Sequence, residues 1–478
     1  MQIVTEGVVP EIPEQITEAF SPASLGIAVD VGTTTIAVSV WTLGKRKHIA
    51  TVAEKNDQIK YGYDIIKRIA FSLRPPLTGS ATVVETGPSA LHYCIICQLE
   101  KMFAKAVNLA AQKLPRGFQP AVKQIVITGN TTMLSFVAGT PVDKMATAPF
   151  TPATLFDFTS SWELVRNGAC CPQCAILDAP TPEMLQIFSS SVISPETKIY
   201  FPPCIGAFIG ADTVCAMIAA GFPVPPEKGQ NFKTEDTDEN SPLLLADIGT
   251  NSELCLYIPG NKEKSGKIIC TAAASGPAFE AANISCGMPA VDGAIDSLSY
   301  AGGQLKHHVI GEKNAKGVCG SGLISAAAVF LKNKFIDKNG AIIRGKAKLG
   351  DGEDCIELTP AVYISQQDIR NLQLAKSAVK TGLQFLLEKT EKTPVFCIAG
   401  GFGSKINLNE AREIGLFPEI SGNEVVQLGN ASLSGASALL FSQKLREKAR
   451  RLKKSSVQVN LAAVPQFQEK FLGSINFE

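Results

Sequence analysis

The sequence predicts an α/β protein made of two similar lobes, because one short motif occurs in each half of the chain. Leu25–Asp30 is an apolar strand that ends in an acid and continues through a Gly-Thr turn into the strand Ile36–Trp41. Leu243–Asp247 repeats this order and leads into the strand Leu254–Ile258. Short strands alternate with helical periodicity over the rest of the chain, which is typical of layered α/β folds.

A second pair of motifs supports the duplication. Gln124–Thr128 is an apolar strand followed by Gly129-Asn130 and a helical pattern. Val395–Ala399 is likewise followed by a glycine-rich run, Gly400–Gly403, and another helical pattern. A strand, a glycine and a helix N-terminus in this order favour binding of anions and nucleotides. We therefore predict two lobes that face each other across a nucleotide-binding cleft.

Length and composition narrow the class of protein. The 478 residues exceed what one hydrophobic core usually holds, so we expect more than one domain. The 45 basic and 44 acidic residues leave no basic excess for nucleic acid. No apolar run is long enough for a membrane helix, and the N-terminal residues lack the basic region of a signal peptide. We expect a cytoplasmic protein with no membrane association, whose thiols are reduced.

Proline, glycine and acidic residues mark the expected boundaries between domains. The basic run Lys444–Lys454 alternates with leucines and predicts a solvated helix face. In chain order we expect a leader at 1–24, a first lobe at 25–220 with an insertion at about 150–197, a polar interlobe loop at 221–241, a second lobe at 242–425, and a C-terminal helix and strand at 426–478 that return to the first lobe.

The repeated turns have the chemistry that the phosphates of ATP require. Glycine allows a close approach and a positive φ where one is needed, while hydroxyl and backbone N–H groups donate hydrogen bonds. The predicted phosphate-binding residues are Gly32, Thr33, Thr34, Thr35, Gly249, Thr250 and Asn251. The carboxylates of Asp30 and Asp247 are predicted to hold Mg²⁺, directly or through water, and to orient the water that attacks the γ-phosphate.

A simple β-hairpin is the alternative for a single turn of this kind, since Asp and Gly favour turns for local reasons. Two copies, each accompanied by a strand–glycine–helix motif, favour the phosphate-binding interpretation. The chain has no G-x-x-x-x-G-K-[ST] run, which argues against a P-loop enzyme. The run Gly317–Gly322 has the wrong glycine spacing for a Rossmann dinucleotide site.

These motifs resemble those of a known superfamily. Four runs match, in order, the phosphate, connecting, second phosphate and adenosine motifs of acetate kinases, sugar kinases, heat-shock chaperones and actin: Asp30–Thr35, Gly129–Thr132, Asp247–Glu253 and Ala399–Asn407. Longer runs are similar to those of the ATP-dependent reductive activators of corrinoid proteins: Pro202–Asp212, Ala273–Glu280, Asn283–Met288, Gly317–Gly322 and Gly429–Ala436. The likeness extends from Leu25 to the C-terminus.

The resemblance implies a two-lobed actin-like ATPase with duplicated ribonuclease H-like lobes and an ATP cleft between them. It implies that ATP and Mg²⁺ drive the reduction of an inactive Co(II) corrinoid to Co(I), on the corrinoid protein of a methyltransferase system. Asp30 and Asp247 would bracket Mg²⁺ and the phosphates, and Gly400, Gly401 and Gly403 would approach the adenosine. We also expect a homodimer.

Two other functions stay open. One is an actin-like phosphotransferase of the sugar or acid kinase type, which would need a general base that the sequence alone does not place. The other is an ATP-responsive, chaperone-like switch without redox activity.

The cysteines differ from the pattern of the resembling family, whose members commonly carry an iron–sulfur domain. The 24 residues before the first strand contain no cysteine, so we expect a separate ferredoxin-like protein to donate the electrons. Two C-x-x-C pairs, Cys94/Cys97 and Cys171/Cys174, could together hold Zn²⁺ or an iron–sulfur cluster, although no ferredoxin motif supports a cluster. The alternative is that these are small buried side chains or surface thiols.

Overall fold

The computed structural model describes residues 7, 9–10, 12, 21, 23–74, 87–114, 117, 119–175, 177–225, 241–260, 266–343, 348–350, 353–403, 406–418 and 425–478. Most of the predicted leader at 1–24 and of the predicted loop at 221–241 therefore lies outside the described residues.

The helices and strands are numbered along the whole chain. The strands are β1 Ser24–Val31, β2 Thr35–Thr42, β3 Lys47–Lys55, β4 Ala121–Gly129, β5 Phe158–Ser161, β6 Lys198–Phe201, β7 Leu243–Ile248, β8 Ser252–Ile258, β9 Lys267–Ala273, β10 Ala294–Ala301, β11 Gln304–Val309, β12 Gly317–Val318, β13 Lys348–Gly350, β14 Glu353–Thr359, β15 Val362–Ser365, β16 Val395–Ala399, β17 Val425–Gly429 and β18 Ser456–Val459. The helices are α1 Ile65–Ser72, α2 Gly87–Ala111, α3 Thr131–Ala138, α4 Trp162–Arg166, α5 Pro182–Ser189, α6 Ala211–Ala219, α7 Gly320–Lys332, α8 Gln366–Leu387, α9 Gly400–Gly403, α10 Leu408–Glu413, α11 Ala431–Leu439, α12 Gln443–Ser455 and α13 Phe467–Gly473.

The chain forms two units. The first unit contains the described residues up to Val224 together with Asn430–Ser456, and the second contains Pro225–Gly429 and Val457–Glu478. The C-terminal segment thus divides between the units, whereas we expected residues 426–478 to return whole to the first lobe. The physical reason is that β18 extends the sheet of the second unit beside β9, where the Thr271 hydroxyl donates to the Val459 carbonyl.

The central sheet of the first unit has the strand order β3-β2-β1-β4-β6-β5. Strands β1, β2 and β3 are antiparallel neighbours, whereas β4 is parallel to β1 and β6 is parallel to β4. β5, from the region that we expected to be an insertion, pairs antiparallel with β6 at the edge. Because β1 and β4 are parallel, their carboxyl ends lie at the same sheet edge. The turn after β1, which contains Gly32, and the turn after β4, which contains Asn130, are therefore close together.

The central sheet of the second unit has the order β17-β16-β7-β8-β9-β18. β7, β8 and β9 are antiparallel neighbours, and β16 and β17 continue the sheet in parallel beside β7. Three antiparallel strands followed by two parallel ones therefore occur in both units. This repeated topology confirms the α/β class and the duplication that the two motif pairs predicted.

Long helices pack on each sheet by the expected apolar periodicity. In α2 the side chains of Leu91, Ile95, Leu99, Met102 and Ala106 are buried, as their spacing predicts, but Leu109 is 38% exposed. Leu109 follows Ala106 at the same helical spacing, and this spacing predicts a buried side chain. That prediction is wrong because Leu109 lies in the last turn of α2, where the apolar face is no longer covered.

Two local predictions about helices are confirmed. An acid three residues after Ser365 predicts a capping box, and α8 begins with one: Ser365 Oγ accepts from Asp368 N at 3.2 Å and Asp368 Oδ2 accepts from Ser365 N at 2.9 Å. α12 buries Leu445, Ala449 and Leu452 and has the predicted solvated face, except that Arg446 stacks on the Tyr200 ring. Within the residues that the structure describes, no helix has the length and apolar character that crossing a membrane requires.

Candidate active site

The first turn, between β1 and β2, is held by side chains from three other segments. Asn56 Nδ2 donates to the Gly32 carbonyl at 2.9 Å, and Arg68 Nη2 donates to the Thr33 carbonyl at 2.7 Å. Asn130 Nδ2 donates to the Thr33 hydroxyl at 3.1 Å. Burial lowers the pKa of Arg68 to about 10, so its guanidinium stays charged at neutral pH. The first turn is thus fixed before any ligand binds.

Two Gly-Asn pairs place amide side chains in this region. Asn130 caps α3 by accepting from Met133 N at 2.9 Å, and Asn430 caps α11 by accepting from Leu433 N at 2.8 Å. The Asn430 amide also donates to Asp30 Oδ2 at 3.2 Å. Sequence reasoning did not assign Asn130 or Asn430 to the site. The repeated order of strand, Gly-Asn and helix was the signal that could have identified them.

Asp212 is a further carboxylate in the first unit that sequence reasoning missed. It lies in the first turn of α6, and its Oδ1 accepts from Thr213 N at 2.7 Å. A Cβ atom on Gly210 would lie 2.5 Å from Asn130 Cα and 2.7 Å from Asp212 Oδ1, so this carboxylate is close to the Asn130 turn. Burial raises the pKa of Asp212 to about 6. A carboxyl group tuned toward neutral pH is suited to proton transfer.

The second turn, between β7 and β8, is held mainly by one carboxylate and one hydroxyl. Glu280 Oε1 accepts from Thr250 N at 3.0 Å and from Thr250 Oγ1 at 2.8 Å. Ser275 Oγ donates to the Gly249 carbonyl at 3.0 Å. Glu280, in the 3₁₀ turn Pro277–Glu280, was also missed as a site residue, although it belongs to one of the runs that carried the family resemblance. The Glu280 carboxylate thus accepts from both donors of Thr250, a residue that we predicted to bind phosphate.

Gly400 packs directly on the second turn. Its φ is +92°, and a Cβ atom there would lie 2.5 Å from the Ile248 carbonyl oxygen and 2.7 Å from Asp247 Oδ1. A residue with a side chain is therefore excluded at this position. Gly401 has open space around its Cα, and Gly403 ends the short helix α9. The second unit thus brings Gly400 of the predicted adenosine motif against Asp247 of the predicted phosphate motif.

Neither Gly32 nor Gly249 is in the left-handed region, so the two turns do not need a positive φ at these residues. The two glycines also differ in their need for space. A Cβ atom on Gly32 would lie 2.6 Å from the Thr35 carbonyl oxygen, whereas one on Gly249 would meet nothing closer than Asn251 O at 3.4 Å. Gly32 is required by the turn itself, and Gly249 leaves space beside the turn.

The second unit also contains a small cavity of about 170 Å³. Asp296, Ser321, Asn407 and Glu410 give it a polar lining. A cavity of this size is smaller than the usual range for sites that enclose a drug-sized ligand.

The two C-x-x-C pairs, which could together have held a metal, do not form one group in the described part of the chain. Cys171 and Cys174 lie together with Cys170, and all three Sγ atoms are within 4.8 Å of one another. Cys94 and Cys97 are not part of this group, which is the one such set of three or more ligands in the described part of the chain. Burial raises the pKa of the Cys94 thiol to about 11. Hydrogen bonds from Cys170 and Cys171 lower the pKa of Cys174 well below its ordinary value.

Comparison with known proteins finds relatives that are similar in sequence and in structure. The chain is 27% identical over 477 residues to the corrinoid activation enzyme RamQ of Eubacterium limosum, covering 95% of this chain and 70% of RamQ. It is 25% identical over 445 residues to the [Co(II) methylated amine-specific corrinoid protein] reductase of Methanosarcina barkeri, covering 87% of this chain and 70% of that reductase. A solved structure of a reductive activator for corrinoid, iron-sulfur protein superposes with a TM-score of 0.74 at 26% identity, covering 96% of this chain and 67% of that one.

Two family profiles match the chain. Residues 25–164 match the RACo middle region, and residues 241–478 match the C-terminal domain of RACo, which is an ASKHA (actin-like ATPase) domain. These two regions include both repeated turns and most of the chain. The match confirms the actin-like fold class and the resemblance to corrinoid activators that the motifs indicated. The chain therefore belongs to the RACo family of actin-like ATPases.

Proposed function

We propose that this protein uses ATP to drive the reduction of a Co(II) corrinoid to Co(I) on the corrinoid protein of a methyltransferase system. The observation that carries the proposal is the pair of strand-end carboxylates, Asp30 and Asp247, each followed by a glycine turn, in a chain of the RACo family. The relatives are named for corrinoid activation and for reduction of a Co(II) corrinoid protein, which supports this substrate.

The residues of each unit would act on ATP in distinct ways. Asp30 and Asp247 would hold Mg²⁺, and their oxygen donors suit this hard cation. Mg²⁺ when bound would neutralise phosphate charge. The backbone and hydroxyl donors of the two turns would bind phosphate oxygens, through Gly32, Thr33, Thr34, Thr35, Gly249, Thr250 and Asn251. The glycine run Gly400, Gly401 and Gly403 would accept the adenosine, since it offers backbone without side chains.

Asp212 is our candidate for the group that orients and deprotonates the attacking water. Its carboxylate lies near Asn130, which contacts the first turn. A pKa of about 6 leaves it ionised at neutral pH and still basic enough to accept a proton. Asp30 and Asp247 would then position Mg²⁺ and the phosphates, while Asp212 would accept the proton of the attacking water.

We propose that a ferredoxin-like protein donates the electrons, since reduction of Co(II) to Co(I) needs a one-electron donor of low potential. The expected homodimer remains a prediction, which light scattering during size-exclusion chromatography would test.

A reconstituted reduction tests the proposed function. Purified protein, ATP, Mg²⁺, a low-potential reductant and a Co(II) corrinoid protein are mixed without oxygen, and the Co(I) absorbance is followed. We expect Co(I) to form with ATP, and not with ADP or with the Asp247→Asn variant. No Co(I) with several cognate corrinoid proteins would contradict the proposal.

A phosphotransferase is the second candidate, because Asp212 supplies the general base that the sequence did not place. The same carboxylate could accept the proton of a substrate hydroxyl instead of water. Product analysis separates the two functions. Formation of ADP and inorganic phosphate in equal amounts, with no phosphorylated acceptor, favours the activator over the kinase. Stimulation of ATP hydrolysis by a corrinoid protein would also exclude a chaperone-like switch that does not respond to that protein.

A further inference from the structure

The three-cysteine group in the first unit has a compact geometry. Cys170, Cys171 and Cys174 lie in the loop that follows α4, and all three are partly buried. The Sγ atoms of Cys171 and Cys174 are 3.4 Å apart, and those of Cys170 and Cys174 are 3.9 Å apart. Thiolates that share one tetrahedral Zn²⁺, with Zn–S bonds of about 2.3 Å, lie roughly 3.8 Å from each other. The sulfurs are therefore already spaced for a single ion.

The sequence of the loop has the spacing of a zinc-binding turn. Cys171-Pro172-Gln173-Cys174 is a C-x₂-C segment, which is common among zinc ligands. The Cys174 N–H donates to the Cys171 carbonyl at 3.1 Å and closes a tight turn, in which Pro172 fixes φ. The Cys171 N–H points at Cys174 Sγ at 3.4 Å, so a backbone donor supports that sulfur.

The surrounding structure fixes this loop in place. Ala175 N donates to the Gly139 carbonyl at 2.8 Å, and Cys174 Sγ lies 3.1 Å from the Ala138 carbonyl. Gly168 has a φ of +61°, and a Cβ atom there would lie 2.3 Å from Leu177 Cδ1. The loop is thus docked on the C-terminal end of α3 at close range.

Buried His92 contacts the ends of both helices that flank the cysteine loop. Its Nδ1 is 2.9 Å from the Phe136 carbonyl and its Nε2 is 3.1 Å from the Arg166 carbonyl. These carbonyls belong to the ends of α3 and α4, between which the cysteine loop is anchored. His92 thus connects the ends of the two helices between which the loop lies.

We propose that Cys170, Cys171 and Cys174 bind one Zn²⁺ ion, with the fourth coordination position taken by water or by a donor from another molecule. The three thiols release their protons to solvent when the ion binds, and no electron is transferred because Zn²⁺ is redox-inert. An iron–sulfur cluster fits less well, since clusters use four cysteine-type ligands and this group offers three.

The ion would link two parts of the first unit. The cysteine loop holds the C-terminal end of α3, and Asn130 at the other end of α3 holds the Thr33 hydroxyl of the first turn. Zn²⁺ binding would therefore stabilise the helix that supports the phosphate turn. This role is independent of the corrinoid chemistry.

Zinc analysis of the full chain tests the proposal. Protein purified without oxygen is incubated with ZnSO₄, freed of unbound ion and measured by mass spectrometry for metal and for disulfides. We expect about one zinc ion per chain. The double variant Cys171→Ser/Cys174→Ser should fall to background, and the matched control Cys94→Ser/Cys97→Ser should keep its zinc. No stoichiometric zinc in the wild type, a Cys171–Cys174 disulfide in its place, or zinc retained by the first double variant would overturn the proposal.

Cysteine labelling of the wild-type protein tests the zinc site even if a variant fails to fold. Iodoacetamide labelling is compared with and without Zn²⁺, and each cysteine is followed by peptide mass spectrometry. We expect Zn²⁺ to slow labelling of Cys170, Cys171 and Cys174 by about tenfold or more, because bound thiolates are poor nucleophiles, with no change at Cys97 or Cys286. Equal labelling of the three cysteines in both conditions would contradict the site.

Discussion

The two acid–glycine turns, which we propose bind phosphate, lie in sheets of the same strand order but are held by side chains of opposite charge. The first turn is held by amides and by the buried guanidinium of Arg68, which donates to the Thr33 carbonyl. The second turn is held by the carboxylate of Glu280, which accepts from both the N–H and the hydroxyl of Thr250. A cation beneath a phosphate turn favours an anionic ligand, whereas a carboxylate competes with it.

The glycines of the two turns also differ in the space available for a Cβ atom. Gly32 is required by its own turn, since a Cβ atom would collide with the Thr35 carbonyl, but Gly249 has room for one. The first turn therefore is a preformed scaffold. If the second turn binds phosphate as we propose, the phosphate would have to displace Glu280 from Thr250, or Glu280 would have to bind the metal. Similar sequence motifs can thus have different roles, because their neighbours decide which donors are available.

The largest effect is expected from the strand-end carboxylates. Asp30→Asn or Asp247→Asn should lower ATP hydrolysis by about a hundredfold or more, because each removes a charge that would hold Mg²⁺. Steady-state ATPase rates over a Mg²⁺ titration measure this, and circular dichroism checks the fold. The matched control is Asp292→Asn, since Asp292 is an exposed carboxylate paired with Lys313. Turnover unchanged in both variants would show that the turns are structural hairpins.

Asp212→Asn should lower hydrolysis by about a hundredfold if this carboxylate accepts the proton of water. The pKa of Asp212 is about 6, so wild-type activity should rise as pH increases through 6, and this limb of the pH profile should vanish in the variant. The same raised pKa means that ionisation costs folding stability as pH rises through that value. The variant should therefore gain about 1–2 kcal/mol in free energy of unfolding at pH 7.

If Asp212→Asn gains stability without losing ATPase activity, Asp212 has no role in catalysis. A pH–rate profile and urea unfolding at pH 5 and pH 7 distinguish these outcomes.

The glycine pair after β16 gives a sharper test of the second turn. Gly400→Ala should cost about 2–4 kcal/mol of stability and weaken ATP binding, because φ is positive and the added methyl group meets Asp247 and Ile248. Gly401→Ala is the matched control, since a Cβ atom there has no neighbour within 4 Å. Thermal unfolding and nucleotide titration calorimetry measure both variants. Equal stability of the two would mean that the second turn is more adaptable than its contacts indicate.

The smallest effect is expected at Glu280. Glu280→Gln keeps an oxygen for Thr250 but removes the charge, so ATP should bind about threefold to tenfold more tightly if the carboxylate only competes with phosphate. Weaker binding in the variant would instead show that Glu280 contributes to holding Mg²⁺. Calorimetric titration of ATP with and without Mg²⁺ separates these results.

Much of the fold could be read from local patterns. Strands β1, β2, β7 and β8 contain the apolar runs that predicted them, and α8 starts at its capping box. Leu109 shows the limit of periodicity, because spacing gives the face of a helix but not how far the covering layer extends. The division of the C-terminal segment was missed for a related reason. The pairing of β18 with the sheet beside β9 depends on a contact far away in sequence.

The candidate site was predicted in part. Asp30, Asp247 and the glycines were identified because acids and glycines at strand ends have local signatures. Asp212, Asn130 and Glu280 were missed, since their significance comes from contacts with turns that are distant along the chain. The cysteines illustrate the same point, because C-x-x-C spacing marked two pairs but could not show that Cys170 joins Cys171 and Cys174.

The sequence by itself thus determined the duplicated α/β plan, the two acid–glycine turns and the family, because each depends on residues that are close together along the chain. Only the tertiary structure decided that the first turn rests on Arg68 and Asn130 and the second on Glu280. It also decided which three thiols converge. Hydrogen bonds, burial and charge act between atoms that are near in space, and the packing of the fold brings together residues that the chain keeps apart.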